Sequence, residues 1–327
     1  MIRTIGYRSE YLQGVIKLFQ TIYGEDYPYA ERCTRLLSYG WNSVEDLKKI
    51  KYLHGMVILD DEKVVGYFGG FYKILKCNGN EYIYCNMSKW LLLSPYRKYF
   101  IKITNDFLKT GDVFSDYSAS PSVLKVLINL FHFEYIDKES LRFFPVLYEG
   151  KSNIEIKEMN SDSLPGELRI CYDDHKNYNI ECVRISTLDI ECYIFYSVMY
   201  SDRYHSKYVR VYKVTNPSFF AMNAHEIVWY LQKKCFENIT DKKSMGQELF
   251  SRIQNKELFL LECESRFFGE GVEINHPLYF GKPEHHLMLN KTGKNIEIPD
   301  LLYSEYISQT REQTFAEHIF DVKDFKG

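Results

Sequence analysis

The sequence lacks the features that mark several classes of protein. No apolar run approaches the roughly 20 residues of a membrane-spanning helix, and the N-terminal segment MIRTIGYRSE has no apolar signal-peptide core. None of the eight cysteines forms a C-x-x-C pair. Free thiols that pack as small apolar side chains in a reducing compartment explain such cysteines most simply. We therefore expect a cytoplasmic protein that does not enter a membrane.

A concentration of positive charge is also missing. The 327 residues include 41 Lys and Arg against 44 Asp and Glu, for a net charge of −3. Residues 1–150 carry 19 basic and 17 acidic side chains, and residues 151–327 carry 22 and 27. Proteins that bind nucleic acid concentrate basic side chains to neutralise phosphates. This distribution argues against a nucleic-acid partner.

Apolar and aromatic side chains are plentiful, at 45% and 16% of the residues. This composition is typical of a soluble globular protein, and the length fits two domains. A weak break near residue 150 gives the predicted division: one domain over residues 1–150 and a second over residues 151–327.

The first half contains clear signals for helices and strands. Apolar side chains from Val15 to Ile22 are spaced as on one face of a helix. Ser43 with Asp46 three residues later resembles a capping box, which predicts the start of a second helix. The pair Asn78-Gly79 favours the positive φ angles of a tight hairpin between two long antiparallel strands.

The most informative junction follows this hairpin. Trp90–Leu93 is continuously apolar, as in a strand buried on both faces, and it runs through Ser94-Pro95-Tyr96-Arg97-Lys98 into an amphipathic helix. Ser120-Pro121 has the residue types of an N-cap and first helical position, and opens a further helix. The predicted order of the first half is βααβββαβαββ.

That order, with a strand entering a helix through a short basic loop, resembles the GNAT superfamily of acyl-CoA-dependent N-acyltransferases over about residues 1–148. The second half looks like a weaker copy, in which Tyr208–Thr215 runs into Asn216-Pro217-Ser218-Phe219. The resemblance implies an α/β fold of two tandem GNAT-like domains. Each would have a mixed, largely antiparallel central sheet flanked by helices. A convergent α/β domain in the second half remains an alternative.

The resemblance also implies where the co-substrate, acyl-coenzyme A, binds. In the family, the acyl-pantetheine arm pairs with the central strand, and backbone N–H groups at the next helix N-terminus hold the pyrophosphate, as helix N-termini favour anions. The family's glycines are replaced here by larger residues around Tyr99–Lys102. The corresponding positions in this sequence are Leu91, Leu92, Leu93, Arg97, Lys98, Tyr99, Phe100, Ile101 and Ser120.

The expected reaction is attack by a neutral amine on a thioester. Candidates for taking or relaying the amine proton are Asn86, Asp116 and Tyr117, with Ser88 as a substrate-binding neighbour. Ile128 falls where the family often has the tyrosine that protonates the departing thiolate. No prosthetic group and no metal are expected.

Further candidates for the acceptor side lie in the second half. Glu262 and Glu264 are two residues apart on a predicted strand, so they share a face and could hold substrate hydroxyls. An exposed, non-functional sheet face is the alternative. Arg203 and Arg210 could bind a nucleotide diphosphate near tyrosines.

In its length and in its second GNAT-like copy, the chain resembles tandem bacterial enzymes that make surface polysaccharides such as O-antigen. Those enzymes N-acylate dTDP-linked 3-amino-3,6-dideoxy sugars. The predicted function is transfer of a short acyl group to such a nucleotide sugar by a monomer or homodimer. Two alternatives stay open. One is a different amine acceptor, such as an aminoglycoside, a peptide or an aminoacyl-tRNA, and the other is a non-catalytic acyl-CoA-binding module.

Overall fold

The computed structural model describes residues 1–24, 50, 52–117, 119–137, 140–145, 152–201, 206–235, 260–268, 272–274, 278–280, 286–296 and 302. The chain divides into two compact units. Unit 1 comprises residues 1–136 and 285–327, and unit 2 comprises residues 137–284. Among the described residues, no helix combines the length and the apolar character needed to cross a bilayer.

The strands are, in chain order, β1 (Ile2–Gly6), β2 (Met56–Asp60), β3 (Lys63–Cys77), β4 (Asn80–Leu92), β5 (Val113–Asp116), β6 (Glu134–Asp137), β7 (Ser140–Phe143), β8 (Glu155–Met159), β9 (Glu181–Ser186), β10 (Glu191–Ser201), β11 (Ser206–Val214), β12 (Leu261–Glu264), β13 (Leu278–Phe280) and β14 (His286–Asn290). The described α-helices are α1 (Leu12–Tyr23), α2 (Phe100–Phe107), α3 (Pro121–Phe131), α4 (Gly166–His175), α5 (Pro217–Met222) and α6 (Ala224–Cys235).

The sheet of unit 1 has the strand order β1-β2-β3-β4-β5-β14-β6. Strands β1 to β4 are antiparallel neighbours, β4 and β5 run parallel, and β14 is antiparallel to β5. The predicted hairpin is confirmed, because Cys77 pairs with Asn80 across a two-residue turn in which Asn78 and Gly79 have φ of 50° and 76°. The helix predicted at Ser43 lies outside the described residues.

Aromatic rings fill the space between α2 and the sheet of unit 1. Phe68 stacks on Trp90 at 4.7 Å between ring centroids, and Phe107 of α2 meets both rings edge-on at 6.0 Å. Phe68 and Phe107 are fully buried. Each buried side chain of this size stabilises the fold by about 1.5–3 kcal/mol relative to exposure. This packing holds α2 against the centre of β3 and β4.

The sheet of unit 2 has the order β13-β7-β12-β11-β10-β9-β8. Strands β8 to β11 are antiparallel neighbours, and β11 and β12 run parallel. One face of this sheet packs through apolar side chains against α5 and α6, where Phe220 and Leu231 are fully buried. The predicted fold class, an α/β protein with two mixed sheets flanked by helices, is confirmed.

The two sheets follow the same plan and exchange one strand. In each sheet, four antiparallel strands are followed by a fifth strand that runs parallel to the fourth. The sixth position is taken by a strand from the other half of the chain. β7 pairs with β12 and β13 of unit 2, and β14 pairs with β5 of unit 1. The units therefore differ from the predicted division into residues 1–150 and 151–327. Residues 137–150 belong to unit 2, and residues 285–327 belong to unit 1. The pattern of side chains predicts that a segment is a strand but does not predict its neighbour in the sheet. Any strand can supply the backbone N–H and C=O groups that its neighbour needs.

Candidate functional site

The parallel strands β4 and β5 separate in the middle of unit 1. Their ladder joins Tyr84–Asn86 to Val113–Ser115 and ends there, while β4 runs on to Leu92 beside β3. Beyond Asn86 the edge of β4 that faces β5 is therefore not paired with β5. Unpaired backbone donors and acceptors at such an edge can hydrogen-bond an extended ligand.

A β-bulge lies on β4 beyond the end of this ladder. Two residues of β4, Lys89 and Trp90, lie opposite one residue of β3, Phe68, because Tyr67 pairs with Leu91 while Gly69 pairs with Ser88. Lys89 has a φ of 52°, which is a strained conformation for a residue with a side chain. Bulges of this kind bend a strand and re-aim its side chains, and they are common beside active sites.

A buried hydrogen-bonded network begins where the ladder ends. The Asn86 side-chain amide donates to Ser115 Oγ at 2.9 Å, and Ser115 Oγ bonds the Tyr84 hydroxyl at 2.6 Å. The Tyr84 hydroxyl in turn lies 3.3 Å from the Tyr117 hydroxyl. None of the four residues is more than 2% exposed. The network can hold and transfer a proton among hydroxyl groups in a site closed to bulk water.

The structure thus brings together two of the three predicted catalytic residues, Asn86 and Tyr117. The third, Asp116, is also buried, and it pairs in register with Leu287 of β14. Its catalytic role stays a prediction. The ring of His286 on the same strand meets Tyr117 edge-on at 4.8 Å.

Two members of the network, Tyr84 and Ser115, are absent from the sequence-based predictions. A signal existed, because Tyr84 and Asn86 alternate on one strand and Ser115 and Tyr117 alternate on the next, so each pair shares a face. What the sequence could not show was the register that places Asn86 opposite Ser115.

The basic loop after β4 forms a 3-10 helix, Ser94–Tyr99, that leads directly into α2. In the opening turn, which precedes the predicted phosphate-binding residues 97–101, two backbone N–H groups are already bonded and one is missing. The Leu93 N–H donates to the Val65 carbonyl, Pro95 has no N–H, and the Tyr96 N–H donates to the Leu93 carbonyl. Of residues 93–96, only the Ser94 N–H is not accounted for by these bonds.

The same turn also carries cationic side chains. Arg97 and Lys98 are both exposed, and the Lys98 ammonium lies 5.2 Å from the centre of the Tyr99 ring. The Tyr96 hydroxyl donates to Asp60 at 2.8 Å and so ties the turn to β2. This bond, with the nearby N-terminal ammonium, lowers the pKa of Asp60. Charged side chains on an anchored turn are suited to binding phosphate.

The remaining predicted coenzyme residues are distributed around this turn. Leu91 and Leu92 are buried, whereas Ile101 on α2 is exposed. Phe100 begins α2 and contacts Trp90 at 5.7 Å between ring centroids. Ser120 is the N-cap of α3, as its sequence predicts, but its hydroxyl bonds that of Ser122. Their roles in binding coenzyme A stay predictions.

In unit 2, the acidic candidates are buried and bound to arginine. Glu262 bonds the guanidinium of Arg142 at 2.7 Å and that of Arg210 at 3.3 Å. Glu264 accepts two hydrogen bonds from Arg266, at 2.9 and 2.7 Å. These carboxylates already accept charge-assisted bonds, which limits their capacity to hold substrate hydroxyls.

Of the two cationic candidates in the second half of the chain, the structure describes Arg210. Arg210 is 8% exposed and belongs to the Glu262 cluster. It adjoins Tyr208, whose pKa burial raises to about 12 despite the lowering effect of Arg210. Arg203 lies outside the described residues. That either residue binds substrate stays a prediction.

No protein-family model and no curated protein sequence matches this chain. Among solved structures, it is similar to a GCN5-related N-acetyltransferase from Anabaena variabilis ATCC 29413, with 9% identity, 89% of this chain and 73% of that chain covered, and a TM-score of 0.48. A GCN5-related N-acetyltransferase from Kribbella flavida gives 8% identity, 88% and 70% coverage, and a TM-score of 0.43. Saccharomyces cerevisiae N-myristoyltransferase with bound myristoyl-CoA gives 9% identity, 88% and 79% coverage, and a TM-score of 0.41. At these TM-scores and identities, the similarities assign neither a family nor an activity to the chain.

Proposed function

We propose that this protein is an acyl-CoA-dependent N-acyltransferase of the GNAT type. One observation carries the proposal: the parallel strands β4 and β5 separate beyond Asn86, and β4 then runs on into a turn that exposes Arg97 and Lys98. An unpaired strand edge suits the amides of a pantetheine arm, and adjacent cations suit a pyrophosphate. This arrangement supports the proposal that one segment of the chain binds both the pantetheine arm and the pyrophosphate.

The residues at the separation point suit the chemistry of acyl transfer. An amine that attacks the thioester carbonyl loses a proton, and the departing coenzyme A thiolate gains one. The Tyr117 hydroxyl can give its proton to the sulfur and recover one from the amine through the network of Tyr84 and Ser115. In this proposal Tyr117 replaces the acid that Ile128 cannot supply. Juxtaposition of amine and thioester contributes the larger part of the rate.

We further propose a dTDP-linked 3-amino-3,6-dideoxyhexose as the acceptor to test first. This choice follows from the resemblance in length and doubling described above. The buried pairing of Glu262 and Glu264 with arginines gives it no added support. Aminoglycosides and peptide amines are therefore the comparison substrates.

Two measurements test the proposed function. Titration calorimetry should detect binding of acetyl-CoA and of coenzyme A, and absence of binding for every short acyl-CoA would refute the coenzyme assignment. Thiol release should then rise above the acceptor-free rate with an amine. If the nucleotide amino sugar fails where an aminoglycoside succeeds, the acceptor is wrong and the reaction type stands. Binding without turnover for any amine would support a non-catalytic acyl-CoA-binding module.

A further inference from the structure

Within the part of the chain that the structure describes, two buried hydroxyl groups in or beside strands of unit 1 have no hydrogen-bond partner. They are Ser88 Oγ on β4 and the Tyr7 hydroxyl just after β1. Ser88 is 3% exposed, and the oxygen of Tyr7 is also inaccessible to solvent. Most buried polar atoms in proteins have a partner, and an exception calls for an explanation such as local strain, a bound water or a ligand. We call these two groups the hydroxyl pair.

Tyr67 links the two members of the hydroxyl pair. The ring of Tyr7 meets the ring of Tyr67 at 5.9 Å between centroids. Tyr67 lies over Gly69, since a Cβ on that glycine would stand 3.2 Å from the Tyr67 ring. Gly69 is the register partner of Ser88. The Tyr67 ring thus contacts Tyr7 and lies over the register partner of Ser88, on the sheet face that Asn86 shares with Ser88 by the alternation of β4.

The local backbone explains why this arrangement is kept. A side chain at Gly69 would bring its Cβ within 2.8 Å of the Ser88 carbonyl oxygen, so only glycine leaves room for the Tyr67 ring. The Tyr67 hydroxyl donates to the His54 carbonyl at 2.7 Å, which fixes the ring. The hydroxyl pair thus stands beside a fixed ring, although burying a hydroxyl without a partner is unfavourable.

We propose that the hydroxyl pair is a binding subsite for an uncharged hydroxyl or amine of the acceptor substrate. The inference rests on the proposed acyltransferase function. Serine and tyrosine hydroxyls each donate and accept one or more hydrogen bonds without carrying charge. That chemistry suits the neutral amine that must attack a thioester, or a sugar hydroxyl beside it, better than a phosphate. Ser88 lies two residues from Asn86, where β4 and β5 separate, and next to the bulge.

Kinetics of thiol release test the subsite in the full chain. Ser88→Ala and Tyr7→Phe should each lower kcat/KM for the acceptor about 5- to 10-fold, the loss expected for one hydrogen bond, and leave KM for acetyl-CoA within about twofold. Thr104→Val is the matched control, because it removes another buried hydroxyl without a partner, on α2. An unchanged kcat/KM for the acceptor in both variants would overturn the proposal.

A crystal structure of the unmodified protein gives a readout that does not depend on turnover. Ordered water at Ser88 Oγ and at the Tyr7 hydroxyl would support the subsite, because water stands in for the ligand's polar group. Rotation of Ser88 onto a main-chain carbonyl, with no water at either oxygen, would overturn it. If that water is present but acetyl-CoA does not bind, the proposed function fails and the polar subsite remains.

Discussion

The cluster around Glu262 allows a stability prediction that does not depend on function. This carboxylate is 3% exposed and lies between the guanidinium groups of Arg142 and Arg210. Replacing Glu262 by Gln keeps the shape of the side chain and removes its charge. One buried and one partly buried guanidinium would then lie side by side with their shared counter-ion lost. Breaking such a buried pair costs about 3–5 kcal/mol.

We expect the lower end of that range, about 3 kcal/mol, because the Gln amide oxygen can still accept one hydrogen bond. For a unit the size of residues 137–284, this loss lowers the midpoint of thermal unfolding by about 6–12 °C. Calorimetry and urea unfolding followed by circular dichroism both measure the effect.

Glu155→Gln is the matched control for this experiment. Glu155 pairs with Arg184 at 3.6 Å in the same unit, but it is 68% exposed. An exposed pair contributes only about 0–1 kcal/mol. The reasoning would be refuted if both variants unfolded within about 1 °C of the unmodified protein, since burial would then not distinguish the two pairs.

Three further predictions concern binding, catalysis and pH. Replacing Arg97 and Lys98 together by Ala should weaken coenzyme A binding at least about 10-fold by calorimetry, with Lys109→Ala, beyond the other end of α2, unchanged; equal affinities would remove the turn from the site. Tyr117→Phe should lower kcat at least about 10-fold with little change in KM for acetyl-CoA, and an unaltered kcat would exclude Tyr117 as the acid. Between pH 8 and pH 10 the urea midpoint should fall, because burial raises the pKa of thiols such as Cys85 and the unfolded chain therefore ionises first. Each such thiol then accounts for about 1–2 kcal/mol at pH 10, and a constant midpoint would contradict this account.

The elements of the fold could largely be predicted from local chemistry. Asn78-Gly79 set the hairpin, and the apolar spacing of α1 and the N-cap at Ser120 set two helices. The exchange of β7 and β14 could not be predicted, because a four- or five-residue strand carries no information on its partner. The helix α4 was also missed, since its apolar face is weak and its cap is Pro165.

The candidate site could be predicted only in part, for a physical reason. Residue types and alternation indicated Asn86 and Tyr117. The hydrogen bonds that connect these two residues pass through Ser115 and Tyr84, and they depend on the β4–β5 register. The sequence does not predict the bulge at Lys89, because lysine rarely adopts a positive φ.

A crystal structure of the complete chain with coenzyme A tests the central claim most directly. The account predicts the pantetheine arm along β4 beyond Asn86, its sulfur near the Tyr117 hydroxyl, and the pyrophosphate against Arg97 or Lys98. Coenzyme A bound at another surface, with the edge of β4 closed by protein, would contradict it.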